Sequence, residues 1–316
     1  MEKSTENHKK FAKNKTLFLS PAPLVLEIDG CILSQDVLKC RRKCLRGVVI
    51  MDFWAPIIKF LDMQMETPAL FGWFHLLFLG LTAVATVLLC RFFKEGTEKQ
   101  VRTILLVTSL LVIALEIYKQ FNYSFRVDDG KVIFDYQWYA FPWQFCSTPM
   151  FLGLAAALTK GKLHHALCAY LATFAMFAGA AVMLYPGDVF IGTIGINIQT
   201  MICHGSMVML AIYLFYTQYV KSEHKTLLKA VSVFAVTLGI ALVLNEVMYY
   251  SGIIGVESFN MFYISSHFEP TLPVFSLVAP LVPYPIALLI YILGFSAAAY
   301  LLLLGSMGIR KLCKKK

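Results

Sequence analysis

A cysteine, two histidines, two glutamates and two side-chain amides stand inside long apolar stretches of this chain: Cys146, His75 and His204, Glu116 and Glu246, and Gln144 and Asn245. A polar or ionisable group in hydrocarbon is costly, so each needs a partner or a use. The residue types suggest which use. A thiol becomes a nucleophile when an imidazole within hydrogen-bond reach takes its proton and a third group orients that imidazole. Cys146, His204 and either Glu116 or His75 supply such a set, and Gln144 or Asn245 offers a donor to an oxyanion. Singly, most of these residues have a bland explanation. Cys packs as a small hydrophobe, His204 can bond a carbonyl of a neighbouring helix, and Asn245 can join two helices. Glu116 is harder to explain that way, because a carboxylate in lipid demands a partner or a shifted proton affinity. Glu246 is near enough to the boundary to reach headgroups. Cys90, Cys168 and Cys203 lack polar company and read as packing.

The elements that carry these residues are membrane helices. The 316-residue chain is 58% hydrophobic and only 15% charged, far below the roughly one quarter charged in a soluble domain. Apolar runs of about 20 residues, enough to cross ~30 Å of hydrocarbon, recur along it. They predict spans at 70–92, 101–122, 139–159, 163–185, 197–219, 226–250 and 281–307. Joins rich in Gly, Pro or charge separate them, such as Lys94-Glu95-Gly96 and Pro186-Gly187-Asp188. The expected fold is all-α, a polytopic membrane bundle of about seven transmembrane helices over residues 70–308. A basic, poorly ordered tail (1–50) and an interfacial helix (51–69) precede it, and a basic cytoplasmic tail (309–316) follows. Lys and Arg crowd the odd-to-even joins and the C-terminus, which puts the C-terminus in the cytoplasm and the N-terminus outside or in a lumen. At ~1.5 Å per residue, His75, Glu116, Cys146, His204 and Asn245 then all lie about 7–11 Å inside the outer boundary.

Several function classes fall away. The net charge of +9 sits at loops and ends, not on one face with interleaved aromatics, so nucleic acid is not an expected partner. The eight Cys form no paired metal-ligand spacing, and no metal or cofactor is expected. A retinal protein needs a Schiff-base Lys in its last span, and 281–307 has none. Three readings stay open: an intramembrane Cys/His enzyme, a transporter or non-catalytic membrane protein, and a metal-dependent lipid hydrolase using His75, His204 and His267 with Glu116 or Asp188.

Three stretches carry a resemblance: YAFPWQFCSTPMFLGLAAAL, then ICHGSMVMLAIYL after Tyr185-Pro186-Gly187-Asp188, then NMFYISSHFEP. They resemble the signature regions of YwaF-like integral membrane proteins of bacteria and of the eukaryotic transmembrane protein 164 family, over about residues 53–308. The resemblance implies a lipid acyltransferase acting through a thioester, with Cys146 as nucleophile and His204 as base. It also implies site roles for Glu116, His75, Asn245 and Asn260. Membrane phospholipids would be donor and acceptor, in the plasma membrane of a bacterium or the endomembranes of a eukaryote.

Overall fold

The computed structural model describes residues 49–50, 52–187, 189–255 and 257–314, all within one unit, Gly47–Lys316. The tail expected over 1–50 lies almost wholly outside the described residues, as do Asp188, Lys315 and Lys316.

Among the described residues six helices are long and apolar enough to span a membrane. They are α2 (Trp73–Phe92), α3 (Glu98–Asn122), α5 (Gly161–Leu184), α6 (Ile194–Tyr216), α7 (His224–Ser251) and α8 (Tyr284–Lys314). A short helix, α1 (Ala55–Leu61), precedes them, and an 11-residue apolar helix, α4 (Thr148–Leu158), lies between α3 and α5. The expected interfacial helix over 51–69 is thus only α1 and the single turn before it, Asp52–Trp54.

The seven expected apolar segments are all present, and six keep their full length. The third is shortened by proline. Pro142 disfavours helical geometry at the residue before it, and Phe141 is extended at ψ 135°. The chain therefore enters the bundle through a 3-10 turn (Trp138–Ala140) and irregular backbone, and helix resumes at Thr148 with Pro149 in the first turn, where a missing N–H costs nothing. Cys146 and Gln144 consequently sit on a turn leading into α4, not inside a span.

Other ends follow from local chemistry. Thr97 and Gln100 close a reciprocal capping box at the start of α3, and Gly252, at φ 68°, ends α7 in the left-handed region. Strands β1 (Val49–Ile50), β2 (Phe125–Asp128) and β3 (Lys131–Phe134) make a small antiparallel sheet in the order β1-β3-β2. Its hairpin turns at Asp129-Gly130, where both residues have positive φ.

Helix α6 is the hub. It packs against α2, α3 and α5, while α4 packs on α3. Leu171–Ala175 forms a π-helical turn within α5, wholly buried between α6 and α8. Small residues permit the closest crossings: a Cβ at Gly205 would strike Thr82 of α2, and one at Gly179 would meet the His204 carbonyl and Met207.

Candidate functional site

Helix α6 holds His204 with 7% of its surface exposed. Its Nδ1 is 2.7 Å from the Thr200 carbonyl one turn earlier. A carbonyl only accepts, so Nδ1 carries the proton and Nε2 presents a bare lone pair. That Nε2 is buried and has no hydrogen-bond partner among the described residues. The imidazole is therefore oriented by a backbone carbonyl, where the sequence suggests Glu116 or His75.

Cys146 approaches the same helix. The Cys203 thiol lies 3.9 Å from the Cys146 carbonyl oxygen, one residue before His204. The Cys146 side chain is partly buried against the main core. Among the described residues no hydrogen bond joins the Cys146 thiol to His204 Nε2.

Glu116 has its own work. Its Oε1 pairs with Lys119 at 2.8 Å and accepts from Gln120 at 2.7 Å, and its Oε2 accepts from Gln199 of α6 at 3.2 Å. Gln120 also donates to the Ala140 carbonyl and accepts from the Tyr136 hydroxyl at 2.6 Å. This network neutralises a buried carboxylate and ties α3 to α6 and to the turn before α4. In the sequence Lys119 reads only as a loop charge. Its i,i+3 spacing from Glu116 on a helix is the available signal, since such residues are neighbours on one face. Gln199 carries the signal of an amide inside the predicted 197–219 span, but nothing local names Glu116 as its partner.

His75 is also spoken for. Its Nε2 donates to the Met183 carbonyl at 2.8 Å, and its Nδ1 accepts from the Phe71 N–H at 3.0 Å. It fastens the start of α2 to the end of α5, and both ring nitrogens are used in doing so.

The three amides expected to serve substrate or oxyanion hold a loop instead. Gln144 donates to the Asn260 carbonyl at 3.0 Å and accepts from the Phe262 N–H at 2.9 Å. Asn245 grips both the N–H and the carbonyl of Met261, at 2.7 and 3.0 Å. Asn260 accepts from the Ser265 N–H at 2.8 Å and donates to the Glu269 carbonyl. The loop needs this clamp, because Phe262 and Tyr263 both adopt positive φ, which is unfavourable for bulky side chains.

A second thiol–imidazole pair lies among residues that read as packing in the sequence. Cys168 Sγ is 3.6 Å from His164 Nε2, and both residues are buried on α5. His164 Nδ1 donates to the Ala156 carbonyl at 2.7 Å, so Nε2 is the acceptor, and it already takes the Tyr219 hydroxyl at 2.6 Å. The i,i+4 spacing is visible in the sequence; the Tyr219 and Ala156 partners are not.

Two openings bear on access. A groove of about 400 Å³ runs between α3 and the α4 region, with Glu116 and Gln120 among apolar walls that include Ile113, Phe121, Pro142 and Met150. Met150 also lines a small cavity beside Cys203. A larger opening, about 590 Å³, lies elsewhere, between the 263–270 loop and the start of α8. At its rim His267 Nε2 meets Glu246 at 2.9 Å and stacks on Tyr249. Among the described residues no three His, Cys, Asp or Glu side chains converge as metal ligands, so His75, His204 and His267 do not form the ligand set of the metal-hydrolase reading.

No curated protein and no solved structure matches the chain. One family model does, over residues 70–304, and its description is the TMEM164 family.

Proposed function

The chain belongs to the TMEM164 family and is an integral membrane protein, and on that premise we propose that it is an intramembrane acyltransferase using Cys146 as nucleophile and His204 as general base. The observation that carries this reading is the free, buried Nε2 of His204, held in the proton-accepting tautomer by Thr200. A buried polar atom without a partner is unfavourable and calls for an explanation, and a catalytic role is one. Catalytic hydrogen bonds are often long before substrate arrives, so the missing hydrogen bond between thiol and imidazole suits a resting enzyme.

In this mechanism Nε2 takes the proton of the Cys146 thiol and the sulfur attacks the ester carbonyl of a phospholipid. The tetrahedral oxyanion collapses to a thioester, and the leaving lysolipid oxygen receives the proton from His204. A hydroxyl of an acceptor lipid then attacks the thioester, with His204 moving the proton again. The apolar groove between α3 and the α4 region offers an acyl chain a lateral way in from the bilayer. With the C-terminus cytoplasmic, as the Lys and Arg pattern favours, the site faces the outer or lumenal leaflet, where the donor is a phospholipid rather than a cytosolic thioester.

Intact-mass measurement tests this directly. Purified protein incubated with phospholipid vesicles is expected to gain an acyl group on Cys146 that hydroxylamine removes, and Cys146→Ala to lose both adduct and transfer. Acyl transfer unchanged in Cys146→Ala overturns the reading. The interrupted third span would also suit a transporter, for which substrate flux without an acyl adduct is the distinguishing result.

A further inference from the structure

Only four buried side-chain polar atoms among the described residues lack a hydrogen-bond partner. Two, on Gln218 and Ser222, belong to the connection between α6 and α7. The other two are His204 Nε2 and the hydroxyl of Tyr291 on α8, a residue with 2% of its surface exposed. A tyrosine buried that deeply ordinarily finds a partner for its O–H.

Aromatic packing places the ring that carries this hydroxyl. The Tyr291 ring stacks on Phe295 at 4.2 Å, and Phe295 meets edge-on the ring of Phe145, the residue before Cys146, at 4.8 Å. Tyr170 of α5 stands beside them, its hydroxyl 3.4 Å from Thr148 at the first residue of α4. Three polar groups bear electrostatically on the Tyr291 oxygen: the hydroxyl of Tyr170, the thiol of Cys146 and the hydroxyl of Tyr263. The Tyr291 hydroxyl is thus an unused donor on a ring packed, through Phe295, around the residue before Cys146, while the amides expected to donate there are committed to the 260–265 loop.

Resting on the acyltransferase reading, we propose that Tyr291 is a catalytic residue whose hydroxyl donates a hydrogen bond to the oxyanion formed when Cys146 attacks an ester carbonyl. As the S–C bond forms, the carbonyl π pair moves onto oxygen, and the thiol proton passes to His204 Nε2. The Tyr291 O–H stabilises that oxygen without giving up its proton. When the oxygen pair returns, the ester C–O bond breaks and the proton on His204 goes to the departing lysolipid oxygen. A donor aimed at developing charge in a dry site is worth on the order of 10²–10³ in rate. Burying that O–H unpaired in the resting protein costs stability.

The two effects have opposite signs, which makes Tyr291→Phe informative. The full chain, purified and reconstituted in phosphatidylcholine vesicles with a lysophospholipid acceptor, is compared with Tyr291→Phe and Cys146→Ala. For Tyr291→Phe, turnover is expected to fall about 100-fold, with apparent KM within about twofold and Tm unchanged or raised. Alkylation of Cys146 by iodoacetamide, which forms no oxyanion, is expected to proceed at the wild-type rate. Wild-type turnover in Tyr291→Phe with inert Cys146→Ala removes this role and leaves the acyltransferase reading standing. A lowered Tm with slowed alkylation identifies the hydroxyl as structural and overturns the proposal. Full activity in Cys146→Ala removes both.

Discussion

Cys168 and His164 sit one turn apart on α5 with sulfur 3.6 Å from nitrogen, whereas Cys146 and His204 come from different elements and share no hydrogen bond. By distance alone the first pair looks more like a catalytic dyad. Its hydrogen-bond accounting says otherwise: the His164 lone pair is already taken by Tyr219, its N–H by Ala156, and both Cys168 and His164 are fully buried. At the second pair the His204 lone pair is free, and so is the Tyr291 hydroxyl on α8. A satisfied network rigidifies, while unsatisfied polar atoms are costly and persist where something uses them. Unmet valence separates the two pairs better than proximity does.

The sharpest way to break this comparison is to remove each sulfur. Cys146→Ala is expected to lower acyl transfer by at least about 10³-fold, because without the nucleophile no thioester forms. Cys168→Ala should stay within about twofold per folded molecule, as it removes only packing. The reverse order in a vesicle-based transfer assay would exchange the roles of the two pairs.

Stability measurements sharpen it next. Glu116→Ala strands Lys119 in a largely buried position and is expected to cost about 3–5 kcal/mol, read as a large loss of Tm in detergent. His164→Ala unpairs the Ala156 carbonyl and the Tyr219 hydroxyl, for about 1–3 kcal/mol, with transfer per folded molecule unchanged. A mere stability loss in His204→Ala with full activity would erase the distinction between the two imidazoles. The smallest effect is expected at Arg126→Ala, whose pairs with Asp128 and Asp135 are exposed; it should shift stability by less than about 1 kcal/mol.

Much of the architecture is legible in the sequence because an apolar run of about 20 residues is a local property that needs no knowledge of partners. Six of seven predicted segments map onto full-length helices. The seventh, 139–159, reads as apolar throughout, yet Pro142 and Pro149 convert its first half into turns. Both prolines are plain in the sequence; hydropathy averaged over the segment hides their effect on helix length. The small sheet of β1 to β3 escapes a sequence reading because its strands have two or four residues, too few for an alternating pattern to show.

Side-chain roles are less legible. Cys146, His204 and Glu116 stand out because polar groups are conspicuous in apolar runs, but type and depth do not say where a hydrogen bond goes. His75, Gln144, Asn245 and Asn260 share the candidates' chemistry and are fully engaged in holding α2, α5 and the 260–265 loop. Tyr291 is inconspicuous in the sequence, one tyrosine in an apolar span.

Composition and the spacing of apolar runs by themselves determine that this chain lives in a membrane as a helical bundle, because transfer of each segment into hydrocarbon depends only on that segment's own residues. Tertiary structure alone decides which nitrogen of His204 is bare and which amides are already taken. Those outcomes depend on carbonyls and hydroxyls brought together from helices far apart in the chain, and no local pattern encodes their arrangement.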